Sequence, residues 1–122
     1  MGIKVLVVED DNFLLKAYQA KLTASGFELQ TAADGEVALH VLESFKPQVI
    51  VLDLVMPRKD GFATLEEIKK QPQLKDIPVI VATNIGQKEE VDRVMNAGAA
   101  ECIIKSDLSL EELVHKIEKY AS

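Results

Sequence analysis

The sequence predicts an α/β fold built on a parallel sheet. Short β-branched apolar runs alternate with amphipathic helical stretches, and three of the five runs are apolar almost throughout. Glycine, proline and helix-capping residues fall between the two kinds of segment, where turns are needed. With 122 residues, 48% of them apolar, the chain can bury one packed core, and a single domain over residues 1–122 is expected.

The first run, Ile3–Val8, reads as a strand. After Asp11, Leu14, Tyr18 and Leu22 stand four apart on one face of a helix. Gly26 follows that stripe, at the left-handed closing position that glycine fills at least cost. Phe27–Thr31 is the second strand. Ala38, Val41, Leu42 and Phe45 recur at i, i+3, i+4 and i+7 and predict a second helix reaching Phe45. Pro47 stands just ahead of the third strand, Val49–Leu52, and Pro78 just ahead of the fourth, Val79–Val81, where a missing backbone donor does little harm. Between them, Phe62, Leu65 and Ile68 mark a helix ending near Lys70.

Val91, Val94 and Met95 form the next stripe, between Gly86 and Ala97, with Gly98 closing it. Ile103–Ile104 is the fifth strand. Ser109 with Glu112 reads as a capping box opening a last helix that carries Leu110, Leu113, Val114 and Ile117. The first, third and fourth runs are the near-continuous ones, as strands covered on both faces should be. Five βα units joined by right-handed crossovers imply a flavodoxin-like (βα)5 three-layer sandwich, strand order 2-1-3-4-5.

Composition narrows the function. Twenty acidic residues against fourteen Lys plus Arg give a formal charge of −6, without the basic excess of a general nucleic-acid binder. Direct nucleic-acid contact is therefore not expected. Cys102 is the single cysteine and cannot form an intrachain disulfide, which suits a reducing compartment. The apolar runs are far too short to span a membrane, and no leader pattern is visible. A cytoplasmic protein without a membrane partner is the expectation.

In open parallel sheets, sites form beyond the carboxyl ends of the strands where the strand order reverses. The first strand runs into Glu9, Asp10 and Asp11, the third into Asp53, the fourth into Thr83 and Asn84, the fifth into Lys105. Taken singly, each has an ordinary explanation. Asp11 and Asp34 suit helix N-caps, a lone lysine is usually solvated, and a threonine is at home in a strand. Their meeting on one edge carries the functional reading.

Glu9, Asp10 and Asp53 in one cleft would repel one another, and partial burial makes that worse. Lys105 offers one compensating charge, and a hard divalent cation would offer two. Magnesium, which takes one or two carboxylates and keeps several waters, suits the set. Zinc lacks a Cys/His cluster and calcium lacks its acidic loop. A carboxylate beside such an ion can act as a nucleophile toward a phosphoryl donor, with Lys105, the Thr83 hydroxyl and backbone amides around the phosphoryl oxygens.

These residues sit in motifs that resemble the receiver domains of two-component response regulators, including single-domain chemotaxis-type regulators. The motifs are V-V-E-D-D at Val7–Asp11, V-L-D-L-V-M-P-R-K-D-G at Val51–Gly61, P-V-I-V-A-T at Pro78–Thr83 and A-G-A-A-E-C-I-I-K at Ala97–Lys105. The resemblance spans essentially the whole chain. It implies that Asp53 is the phosphoacceptor, with Thr83 and Lys105 contacting the phosphoryl group. Asp10 would ligate Mg2+ directly, Glu9 would act largely through bound water, and the Val55 backbone carbonyl would be a further ligand. A sensor histidine kinase or histidine phosphotransfer protein would be the donor, and a downstream protein the target. Such a chain is a phosphoacceptor, not an enzyme with a separate substrate, and is a monomer or a phosphorylation-linked dimer. Phosphorylation would draw Thr83 inward and repack the helix after Gly86, the fifth strand and the last helix.

The chain departs from the family pattern in three places. Cys102 stands where many members carry an aromatic that swings inward with the threonine; it is too small to do so, and it reads as an inert buried thiol. Ser106 follows the lysine where proline is usual, so a trans peptide bond is expected there. Asn84 replaces a small residue and narrows access to Asp53. Val55 and Ile85, two residues beyond Asp53 and Thr83, are apolar and offer no help to an attacking water, which predicts slow self-hydrolysis.

Three rivals fit less well. A dehalogenase-like phosphatase normally has a second aspartate where Val55 stands, and a flavin-binding protein would not set an acidic turn after its first strand. A degenerate receiver acting as a phosphate-independent binding module would not be expected to keep Asp10, Asp53, Thr83 and Lys105 together.

Overall fold

The computed structural model describes residues 2–84 and 87–122. Strands and helices alternate as β1 (Lys4–Val8), α1 (Asn12–Ala24), β2 (Glu28–Ala32), α2 (Gly35–Val41), β3 (Val49–Leu52), α3 (Gly61–Lys70), β4 (Val79–Thr83), α4 (Lys88–Asn96), β5 (Glu101–Ile104) and α5 (Leu110–Ala121). The five strands are parallel and run in the order β2-β1-β3-β4-β5, the flavodoxin-like order that the alternation predicts. All four residues of β3 and all five of β4 are buried, as are the last four of β1. β2 alternates exposed with covered positions, as an edge strand can.

Side chains alternate across the sheet and build one cluster on each face. Leu6, Val8, Ile50, Leu52, Val79 and Val81 pack with Ala38 and Leu42, with Leu65 and Ile68 of α3, and with Val94 of α4. Val5, Val7, Val49, Val51, Ile80 and Ala82 pack on the other face against Tyr18 and Leu22 of α1 and Leu113, Val114 and Ile117 of α5. The helical stripes legible in the sequence are the faces that these clusters cover.

Helix ends follow local chemistry. Asp11, Asp34 and Asp60 cap α1, α2 and α3, each side chain accepting from the amide three residues on. Ser109 and Glu112 form the reciprocal capping box of α5. Gly26 (φ 91°) and Gly98 (φ 108°) take the left-handed backbone their positions predict.

The structure corrects some bounds. The second helix ends at Val41 and continues only as turns, so Phe45 lies beyond it, in the residues approaching Pro47. β4 reaches Thr83, and β5 begins at Glu101, because both edges find ladder partners beyond their β-branched runs. Lys105 opens a 3-10 turn, Lys105–Asp107, and is not the last residue of the strand. No peptide bond among the described residues is cis, in line with the expectation at Ser106.

Candidate functional site

The register of the sheet brings the strand ends together. Val7 and Val8 of β1 pair with Val51 and Leu52 of β3, so Glu9 and Asp53 leave the sheet side by side. Their backbones are still anchored: the Asp53 amide donates to the Val8 carbonyl at 3.0 Å, and the Glu9 amide to that of Ala32 at 2.9 Å. Ligand oxygens of Glu9, Asp10 and Asp53 lie within 4.8 Å of one another, the one such acidic group among the described residues. Glu9 and Asp53 are buried, whereas Asp10 is exposed at the mouth.

Lys105 closes the cluster from the 3-10 turn that follows β5. Its Nζ is 2.5 Å from Glu9 Oε1 and 3.3 Å from Asp53 Oδ1. The second oxygen of Glu9 accepts from the Asp11 amide at 3.1 Å, so both of its oxygens have protein partners. Asp53 Oδ1 also accepts from the Leu54 amide at 2.9 Å, which sets the carboxylate's orientation. Burial pushes the Asp53 carboxyl up to about 6; Lys105 opposes this and Glu9 reinforces it. One ammonium therefore does not neutralise the cleft, and the oxygens present are the hard donors that Mg2+ or Mn2+ prefers.

Thr83 ends β4 fully buried on the same edge. Val55, in the loop after β3, is 61% exposed. Ile85 lies outside the described residues. Cys102 is half-buried in β5 and packs beside the cluster that includes Val94 of α4; burial pushes its thiol up, away from the reactive thiolate.

Three participants escaped the sequence reading. Tyr18, taken only as a stripe residue, is buried, and its phenol is pushed up to about 12 by burial, then by Glu9 and Asp53. A polar-tipped aromatic on the helix after the acidic strand was the available signal. Gly61 permits α3 to start against the end of β3: a Cβ there would lie 2.1 Å from the Asp53 carbonyl oxygen. Asp34 does cap α2, as expected, but it also holds Arg58 from the loop after β3, a pairing that no local pattern announces.

The response regulator receiver domain family model matches residues 5–118. The "Probable transcriptional regulator ycf27" of Pyropia yezoensis is 34% identical over 122 residues, covering 97% of this chain and 48% of its own length. The chain thus spans about half the length of that relative. Among solved structures, the phosphorylated cyanobacterial phytochrome response regulator RcpA superposes with TM-score 0.83 at 28% identity, over 98% of this chain and 91% of its own. The Mn(2+)-bound form of response regulator Rcp1 superposes with TM-score 0.79 at 31% identity, over 95% and 89%. The chain belongs to the response regulator receiver domain family of two-component systems. No helix of the described residues is long and apolar enough to cross a membrane.

Proposed function

We propose that the chain accepts a phosphoryl group on Asp53 from a sensor histidine kinase or a histidine phosphotransfer protein, with Mg2+ in the acidic cleft. One observation carries the reading: Asp53 stands at the carboxyl end of β3, with Glu9 and Asp10 ligand atoms inside a 4.8 Å cluster and the Lys105 ammonium 3.3 Å away. Similar chains solved as a phosphorylated form and as an Mn(2+)-bound form support it.

Asp10, Asp53 and the Val55 carbonyl would hold the ion. Glu9, with both oxygens already engaged by Lys105 and the Asp11 amide, is suited to acting through bound water. When bound, the ion supplies positive charge that the carboxylates and the transferring phosphoryl oxygens otherwise lack. An Asp53 oxygen forms its bond to phosphorus as the bond from phosphorus to the donor's imidazole nitrogen breaks, and the electron pair leaves with that nitrogen. Lys105 and the Thr83 hydroxyl donate to the phosphoryl oxygens. The new charge, roughly −1.5 to −2, biases the β4–α4 region toward Asp53 and alters the face made by α4, β5 and α5, which a downstream protein reads.

The chain assists its own phosphorylation and dephosphorylation and turns over no separate substrate. It works in the cytoplasm, as a monomer or a phosphorylation-linked dimer, without contacting nucleic acid itself. Incubation with acetyl phosphate and Mg2+ tests the core of this. The expected result is a mass gain of one phosphoryl group that chelation or Asp53→Asn abolishes. No gain leaves a phosphate-independent binding module instead, and a gain that survives the substitution overturns Asp53 as the acceptor.

A further inference from the structure

The loop between β3 and α3 contains Val55, and it is held both at its base and at its crest. At its base the Gly61 amide donates to the Leu54 carbonyl at 2.9 Å. At its crest Arg58 takes φ 61°, a left-handed backbone that costs any residue other than glycine free energy and needs compensating contacts. Those contacts come from the start of α2. Arg58 Nε donates to Asp34 Oδ2 at 2.8 Å, and a second guanidinium nitrogen donates to the same oxygen. Asp34 is fully buried, and its Oδ1 accepts from the Val37 amide at 3.0 Å. Beside it the Gly35 amide donates to the Lys59 carbonyl at 3.1 Å. A Cβ on Gly35 would lie 1.9 Å from Thr64 Oγ1 and 2.8 Å from the Lys59 carbonyl oxygen, so loop, α2 and α3 meet without spare room.

We propose that Asp34 and Arg58 are positioning residues for the metal-binding loop, their ion pair fixing the Val55 carbonyl by tying the loop to the first turn of α2. The proposal rests on the reading of the acidic cleft as a Mg2+ site. Between Leu54 and Arg58 the buried side chain is Met56, while that of Val55 is largely exposed, so apolar packing alone holds the carbonyl weakly. Magnesium tolerates little departure from octahedral geometry. A small rotation of the Val55–Met56 peptide would cost affinity even with Asp10 and Asp53 undisturbed. Arg58 is itself a cation. Were its influence only electrostatic, removing it would tighten Mg2+ binding, whereas loss of positioning weakens it.

The test is Mg2+ titration followed by amide NMR shifts, with wild type, Arg58→Gly, Asp34→Asn and the double variant. Glycine accepts the left-handed backbone, and asparagine can still cap α2, so both single variants are expected to fold. Each should weaken Mg2+ binding by about tenfold, as loss of an outer-shell partner does, and the double variant should be little worse than either. Hydrogen exchange of the amides from Leu54 to Asp60 should quicken in both variants without metal. If wild type binds Mg2+ and the variants bind within twofold of it, or Arg58→Gly binds tighter, the positioning role is overturned while the metal site stands. If wild type shows no Mg2+ affinity, or Asp10→Asn binds equally well, the metal site fails and the proposal fails with it.

Discussion

Lys105 is seated on Glu9: its Nζ is 2.5 Å from Oε1 of that residue and reaches Asp53 only at 3.3 Å. The ammonium and Glu9 are both largely shielded, with side chains 14% and 2% exposed, so each depends on the other for compensation. The lysine is thus held close to the proposed phosphoacceptor without being spent on it. A cavity of about 140 Å³, lined by Tyr18, Ile103, Leu113 and Lys105 itself, lies along its aliphatic stem on the α1 and α5 side of the sheet.

Removing the lysine should expose that dependence. Lys105→Ala leaves Glu9 buried beside Asp53 without its cation, and the expected loss is about 2–3 kcal/mol in urea denaturation without metal. Adding Glu9→Gln should recover most of it, since the buried charge is then gone. Additive losses in the double variant would show that the two residues act independently.

Asp53 makes the native protein hold a proton more tightly than the unfolded chain. Its carboxyl is pushed up to about 6 by burial, against Lys105 and with Glu9. The associated stability is complete below an ordinary carboxylate pKa of about 4 and is lost as pH rises through about 6. In chelator at about pH 7.5, Asp53→Asn should therefore stabilise the fold by about 1–2 kcal/mol, after allowing for solvent screening, and raise Tm by several degrees. At about pH 4 the gain should vanish. Thermal melts across that range check the sign, and added Mg2+ should raise the wild-type Tm more than the variant's.

Gly61→Ala should be costly for a reason unrelated to charge. The new Cβ would sit 2.1 Å from the Asp53 carbonyl oxygen and 2.6 Å from Leu54 Cα, both backbone atoms that cannot swing aside. A loss of about 2 kcal/mol or more is expected, together with slower labelling by acetyl phosphate as α3 is pushed off the strand end. A neutral urea midpoint would mean that the helix can shift freely.

Val55 is 61% exposed beside Asp53 and carries no group able to orient a water. Val55→Asn should shorten the lifetime of the phosphorylated protein several-fold, measured as phosphate release after the donor is removed. An unchanged lifetime would assign Val55 to loop packing alone.

The alternation of β1, β3 and β4 with their helices was legible because parallel strands covered on both faces read as unbroken apolar runs, and because each helical stripe repeats with the helix period. The caps were legible too: Asp11, Asp34 and Ser109 act within three residues of their targets. β5 was legible only as Ile103–Ile104, since Glu101 and Cys102 join it through pairing with Ile80 and Val81 rather than through propensity of their own.

By itself the sequence determined the layer order, the edge of the sheet on which Glu9, Asp10, Asp53, Thr83 and Lys105 emerge, and their kinship with receiver domains, because period and motif spacing are properties of the chain. The tertiary structure decided which carboxylate holds Lys105, across 96 positions, and that Arg58 locks onto Asp34 across 24. It also decided that Asp53 and Tyr18 share one field. Those are distances through space, set by how five strand ends and their loops pack, and no local pattern encodes them.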